Sequence, residues 1–175
     1  MKNEINNEEV LNNSSSTLVY VGTVKIEEIR GNKVIKTYTS HNEGKASLFN
    51  FIAQCLSGKL EDRLRPKYLR AYNKTGTTYT QITNTQISFR SVRAVGDKTI
   101  YKFLIPANTL NATTELNHFR LFSQDNVNIV DNIDSCCASI DYVAKPESAK
   151  LVPNGKTNFL VTWTLQVTNN TNGGN

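Results

Sequence analysis

The chain has 175 residues, 20% of them charged and 38% hydrophobic, with a formal net charge of +5. That length suits one folded domain with polar ends and is enough to bury a core without metal or disulfide staples. No apolar run is long enough for a transmembrane helix, and the basic excess is modest and spread out, unlike that of a dedicated nucleic-acid binder.

Residues 1–16, MKNEINNEEVLNNSSS, are polar and of low complexity, and predict a flexible N-terminal arm. With one Lys, three Glu before position 10 and no apolar stretch, this start does not read as a secretory signal. The folded domain is expected over residues 17–168, followed by a disordered tail over residues 169–175.

The first element, TLVYVGTVKIEEI, places Leu18, Tyr20, Val24 and Ile26 on one face, with Lys25 and Glu27 on the other. RGNK follows as a turn, because Gly31 and Asn32 tolerate positive φ, and VIKTYTSH completes a predicted β-hairpin. Glu27 and Glu28 are adjacent, so they face opposite sides and make a poor acid–base pair.

One short helix is predicted near residues 45–57, within NEGKASLFNFIAQCLSGK. Leu48, Phe51, Ile52, Cys55 and Leu56 recur at helical spacing, and Gly58 sits where a C-terminal glycine belongs. Phe49 and Phe51 are expected to pack in the core.

The segment after it, residues 59–70, carries Lys59, Arg63, Arg65, Lys67 and Arg70 against Glu61 and Asp62, with Tyr68 and Tyr72 nearby. It is the best signal for an anionic partner. Strand alternation divides its charge, however, and the plain alternative is a solvated rim or a subunit contact.

Beyond Pro66 come KYLRAY, TQISFRSV, TIYKFLIPA, NHFRLFSQ, CCASIDYVA and NFLVTWTLQVT, separated by turns at VGDK, NTLNATT, DNVN and VPNGK. Tyr101, Phe103 and Ile105 share a face, as do Phe159, Val161, Trp163, Leu165 and Val167. Short alternating strands between Asn/Gly/Pro turns predict a mainly β fold, an antiparallel β-sandwich of jelly-roll or Ig-like type. Trp163 is expected between the sheets, and Thr162, Thr164 and Thr168 on the solvent side or against another subunit.

Catalytic, cofactor-binding and metal-binding sites are all expected to be absent, and the chain is read as a non-enzyme. His41 and His118 have no zinc-binding spacing, and His118 is expected to be structural or at the surface. Cys55, Cys136 and Cys137 form no disulfide framework, which suits a reducing compartment, and the neighbours Cys136 and Cys137 are expected on opposite faces, only one of them buried. A Cys–His dyad of Cys55 or Cys137 with His41 has no support. The loop with Asp125, Asn126, Asn128, Asp131 and Asp134 offers oxygen ligands but lacks the glycine and closing glutamate of a calcium loop. The sequons at Asn73, Asn111 and Asn169 are chance products of an Asn- and Thr-rich chain.

Two stretches carry a resemblance. One is GTVKIEEIRGNKVIKTYTSHNEGKASLFNFIAQCLSG, which runs strand, turn, strand, then N-x-G and an aromatic helix ending in L-x-G. The other is FLVTWTLQVTN, preceded by NHFRLFSQ and CCASIDYV. Across most of residues 22–169 this order resembles small virion structural proteins of tailed bacteriophages, including the crAss-like phages. The resemblance implies a non-enzymatic part of the head surface, the head-fibre base, or the collar and tail. Such a part is made in the host cytoplasm, lodged in the virion, and held by packing against itself and other virion proteins. It implies no membrane or cofactor, and nucleic acid is not an expected partner. A carbohydrate-binding module using Tyr72, Tyr79 and Tyr142 is the alternative of a different class.

Overall fold

In the computed structural model the described residues are 17–44, 46–58, 65–82, 87–110, 114–123, 136–142 and 150–170. They form nine strands and one helix: β1 (Thr17–Arg30), β2 (Lys33–Gly44), α1 (Ala46–Leu56), β3 (Tyr68–Thr75), β4 (Thr78–Gln81), β5 (Ile87–Val95), β6 (Lys98–Ile105), β7 (His118–Phe122), β8 (Ala138–Asp141) and β9 (Asn158–Asn170). A 3-10 turn at Ala107–Thr109 follows β6. All strand pairs are antiparallel, in the order β4-β3-β5-β6-β9-β1-β2-β8-β7, and β7 pairs back onto β3. The sheet is thereby nearly closed into a barrel. The mainly β, antiparallel character and the single short helix agree with the sequence.

The long middle strands obey the period-2 rule. On the inner face, register brings Val24, Trp163 and Tyr101 into one row, and Ile26, Val161 and Phe103 into the next. All six are buried, and Trp163 is 0% exposed. On the outer face Lys25, Thr162, Lys102 and Ser91 form a row, as do Thr23, Thr164, Ile100 and Arg93. Thr162 and Thr164 therefore lie opposite Trp163, on the outer side, and are half-buried by their neighbours. Each tight turn falls on a glycine with positive φ: Gly31 between β1 and β2, Gly76 between β3 and β4, and Gly96 between β5 and β6.

Several expectations change. The strand β4 was not apparent in the sequence, because Thr-Tyr-Thr-Gln has no apolar alternation and is held by its pairing to β3. Phe49 and Leu56 are 48% and 75% exposed, because the buried side of α1 runs through Leu48, Phe51 and Ile52 and leaves them off its edge. Cys136 and Cys137 are both fully buried: they precede β8 in a bend, so strand alternation does not apply. Residues 1–16 and 171–175, Lys59 to Arg63, the sequon at Asn111 and the acidic loop from Asp125 to Asp134 lie outside the described residues.

Candidate functional site

The strands β3, β7 and β8 are buried on both faces. Leu69, Ala71, Phe119, Leu121, Ala138 and Ile140 point into the apolar core. The opposite face carries Arg70, Tyr72, His118, Arg120, Phe122 and Ser139, which are buried as well. Register aligns them: Tyr72 opposes His118, Arg70 opposes Arg120, and His118 in turn opposes Asp141 of β8.

The polar members form a chain of bonds. Arg120 Nε donates to His118 Nε2 at 2.9 Å, and His118 Nδ1 lies 2.6 Å from Asp141 Oδ1. Lys74 Nζ donates to Asp141 Oδ2. Because Nε2 accepts from an arginine, which has no acceptor of its own, the imidazole proton sits on Nδ1 and is donated to Asp141. Both ring nitrogens are thus engaged in holding the neutral ring.

Electrostatics follow from this geometry. Burial lowers the His118 pKa, the Asp141 bond opposes the shift, and the Arg120 charge adds to it. Burial pushes the Asp141 carboxyl up, but the bonds from Lys74 and His118 outweigh it and hold Asp141 below the usual range. The Lys74 ammonium is raised by the bond to Asp141.

The Arg120 guanidinium stands 4.6 Å from the Tyr72 ring centroid and 4.2 Å from that of Tyr79. Arg70 lies 5.0 Å from the Phe122 ring. Cation–π contacts of this kind, made away from water, give a planar guanidinium a partner where a solvated ammonium would be costly.

Asn117 closes the corner. Its Oδ1 accepts from the Lys74 backbone N–H at 2.6 Å, and its Nδ2 donates to the Lys74 carbonyl at 3.1 Å. Asn73 Nδ2 donates to the Glu115 carbonyl at 3.0 Å, so the amide of that sequon is occupied. Beside this corner lies an open pocket of about 230 Å³ lined by Lys74, Gly76, Asn117, Asp141 and Tyr142.

The residues singled out in the sequence separate in space. Arg65 stacks near Phe89, Arg70 is buried against Phe122, and Lys67 is half-buried, so the described part of the basic segment is neither a solvated rim nor a continuous charged face. Tyr72 is 0% exposed, Tyr79 is half-buried against His118, and Tyr142 packs edge-on against Tyr38, so the three tyrosines form no open aromatic platform. Cys137 is buried while His41 is exposed on the outer face. Glu28 is buried, and burial raises its pKa, with Lys36 the largest opposing influence; Glu27 faces outward and pairs with Lys25 at 2.7 Å. Among the described residues no group of three His, Cys, Asp or Glu side chains is placed to hold a metal ion, and no helix is long and apolar enough to cross a membrane.

Sequence reasoning missed the His118–Arg120–Asp141 cluster. The available signal was the polar alternation in HFRLF, where His118 and Arg120 share a face; their partners come from strands distant in sequence. No protein-family model, curated protein or solved structure matches the chain.

The other feature of note is the sheet margin. β2 pairs with β8 only at Glu43 and Gly44, and β5 pairs with β3 only at Ile87 and Ser88. Among the described residues, the outer edges of β2 from Lys33 to Asn42 and of β5 from Arg90 to Val95 have no strand alongside them.

Proposed function

We propose that this chain is a non-enzymatic structural component of a bacteriophage virion, a capsid auxiliary or head-fibre-associated protein that acts by packing and strand pairing. The observation that carries the reading is the pair of long strand edges left open on β2 and β5. An unpaired edge is a template for another chain, and proteins that work alone tend to shorten or cover it. The strands are read as a flattened, sandwich-like unit, with β5, β6, β9, β1 and β2 as one layer and β4, β3, β7 and β8 as the other, which suits lateral assembly.

The polar cluster supports the same reading. His118 gives one ring nitrogen to Asp141 and the other to Arg120, so the arrangement braces β7 against β8 and offers no free base to a substrate. A collar or tail position is the second placement within this reading. The carbohydrate-binding alternative loses its support because Tyr72 and Tyr142 are buried.

Quantitative mass spectrometry of purified particles tests the proposal. Peptides of this chain at fixed stoichiometry support it, with hundreds of copies indicating head decoration and about a dozen or fewer a collar or tail place, as symmetry requires. Absence from the particles overturns it.

A further inference from the structure

The β5 edge differs from the β2 edge in one respect that points to its occupant. Arg90, Ser91, Val92, Arg93, Ala94 and Val95 are all exposed. Arg90 sits in the irregularity between Phe89 and Ser91; Arg93 faces outward with Ile100, and Lys98 and Lys102 extend the charge onto the neighbouring β6. No acidic side chain pairs with these four cations among the described residues. The stretch from Arg90 to Val95 has no proline, so every residue of the open edge keeps its backbone N–H.

We infer that β5 takes an acidic extended segment as an additional strand, and that this segment comes from within residues 2–11 of a second copy of the chain. The inference rests on the assembly reading above and names the contact. KNEINNEEVL holds Glu4, Glu8 and Glu9 against a single Lys2, contains no proline, and carries Ile5, Val10 and Leu11. Laid along the open edge with alternating sides, the adjacent Glu8 and Glu9 point to opposite faces, so in either register one of them lies on the outer face that carries Arg93, Lys98 and Lys102. Charged edge residues also guard a strand against unwanted pairing. A guard in which four cations outweigh the one neighbouring carboxylate, Asp97 in the adjoining turn, repels basic strands and accepts an acidic one. It excludes the other open edge as a partner, because β2 presents Lys33 and Lys36.

Reach favours a second copy over the same chain. β9 and β6 lie between β1 and β5, so a strand outside β5 is four spacings from β1, about 19 Å. Val95 aligns through Lys98 and Gln166 with Val21, which places Thr17 four residues, about 13 Å, further along. Measured along the sheet, the span from Thr17 to a Leu11 beside Val95 is then some 23 Å, so an arm of the same chain, whose six residues reach about 20–22 Å at full stretch, would have to run taut. A neighbouring copy meets no such limit.

The test is sedimentation of the full chain and of two exposed charge reversals, Arg90→Glu/Arg93→Glu and Glu8→Lys/Glu9→Lys, with circular dichroism as the control for folding. Wild type is expected to self-associate with rising concentration. Each reversal is expected to move the association midpoint at least tenfold higher, and an equimolar mixture of the two to restore it. Association of both reversals at the wild-type midpoint overturns this contact while leaving the virion reading intact. A wild type that stays monomeric at all concentrations also overturns it, as does an arginine reversal that abolishes binding of a DNA oligonucleotide without changing association. The virion reading itself stands or falls separately, on the composition of the particles.

Discussion

His118 and Arg120, two residues apart on the same side of β7, are joined by a 2.9 Å bond in which the arginine donates to the imidazole. A protonated His118 cannot accept that bond, and its charge would face a buried guanidinium. The His118 pKa is lowered in the fold, chiefly by burial. The unfolded chain therefore binds the proton more readily: stability is full above the unfolded value of about 6.5 and falls as pH drops below it. Asp141, held below its usual range, adds a second loss further into acid. Glu28, raised by burial, works in the opposite sense just above its ordinary value. In a Glu28→Gln background, urea midpoints should fall from pH 7.5 to pH 5.5, and His118→Asn, which keeps a donor toward Asp141 but does not titrate, should flatten that fall. Equal midpoints at both pH values would sink the idea.

Arg120 and Lys74 offer a contrast in worth. Arg120 is buried between two tyrosine rings and is the donor to His118 Nε2, so Arg120→Met should cost about 1–3 kcal/mol by leaving that buried acceptor unmet. Arg120→Lys should recover only part of this, because an ammonium has no planar fork to lie between rings. Lys74→Gln touches a partly exposed ion pair and should cost under about 1 kcal/mol. Chemical denaturation of the three variants gives the order, and a Lys74 effect equal to that of Arg120→Met would refute it.

Gly22 is a packing requirement. Its register partners are Asn42 and Leu165, and a Cβ at this position would come within 1.5 Å of Asn42 Oδ1. Gly22→Ala should therefore destabilise by about 1–3 kcal/mol, the usual penalty of overpacking. The double change Gly22→Ala/Asn42→Ala should recover part of the loss. Additive losses in a double-mutant cycle would mean the two side chains do not compete for the same space.

Trp163 and Thr157 test the core from two directions. Trp163→Ala should cost about 3–5 kcal/mol, since it empties the middle of the row with Val24 and Tyr101. The buried Thr157 hydroxyl has no hydrogen-bond partner among the described residues, so Thr157→Val, which keeps the shape and removes the unmet polar group, should stabilise by about 1 kcal/mol. Thermal melts decide both; an unchanged melt for Trp163→Ala would place the indole outside the core.

The middle of the sheet was legible in the sequence because its strands are long and one-sided. Through the middle of β1, β6 and β9 alternate residues are apolar, and Val24, Ile26, Tyr101, Phe103, Phe159, Val161 and Trp163 are buried as that pattern requires. The turns at Gly31, Gly96 and Gly155 were legible because their left-handed backbone favours glycine. The helix was legible in its extent and less so in its exposed residues, since Phe49 and Leu56 differ from their buried neighbours only by position around the axis.

By itself, then, the sequence determined the local periods of the long strands: where they run, which side of β1, β6 and β9 is apolar, and where most of the chain reversals fall. Only the tertiary structure decided the closure of β7 onto β3, the burial of β3 and β7 on both faces, and the joining of buried His118, Arg120 and Tyr72 to the more exposed Asp141 and Lys74 in one bonded unit. The physical reason is that alternation reports a strand's own two sides, whereas a buried charge is tolerated only where remote strands supply its partners. Those partners are set by register across the sheet, and no short window of sequence contains them.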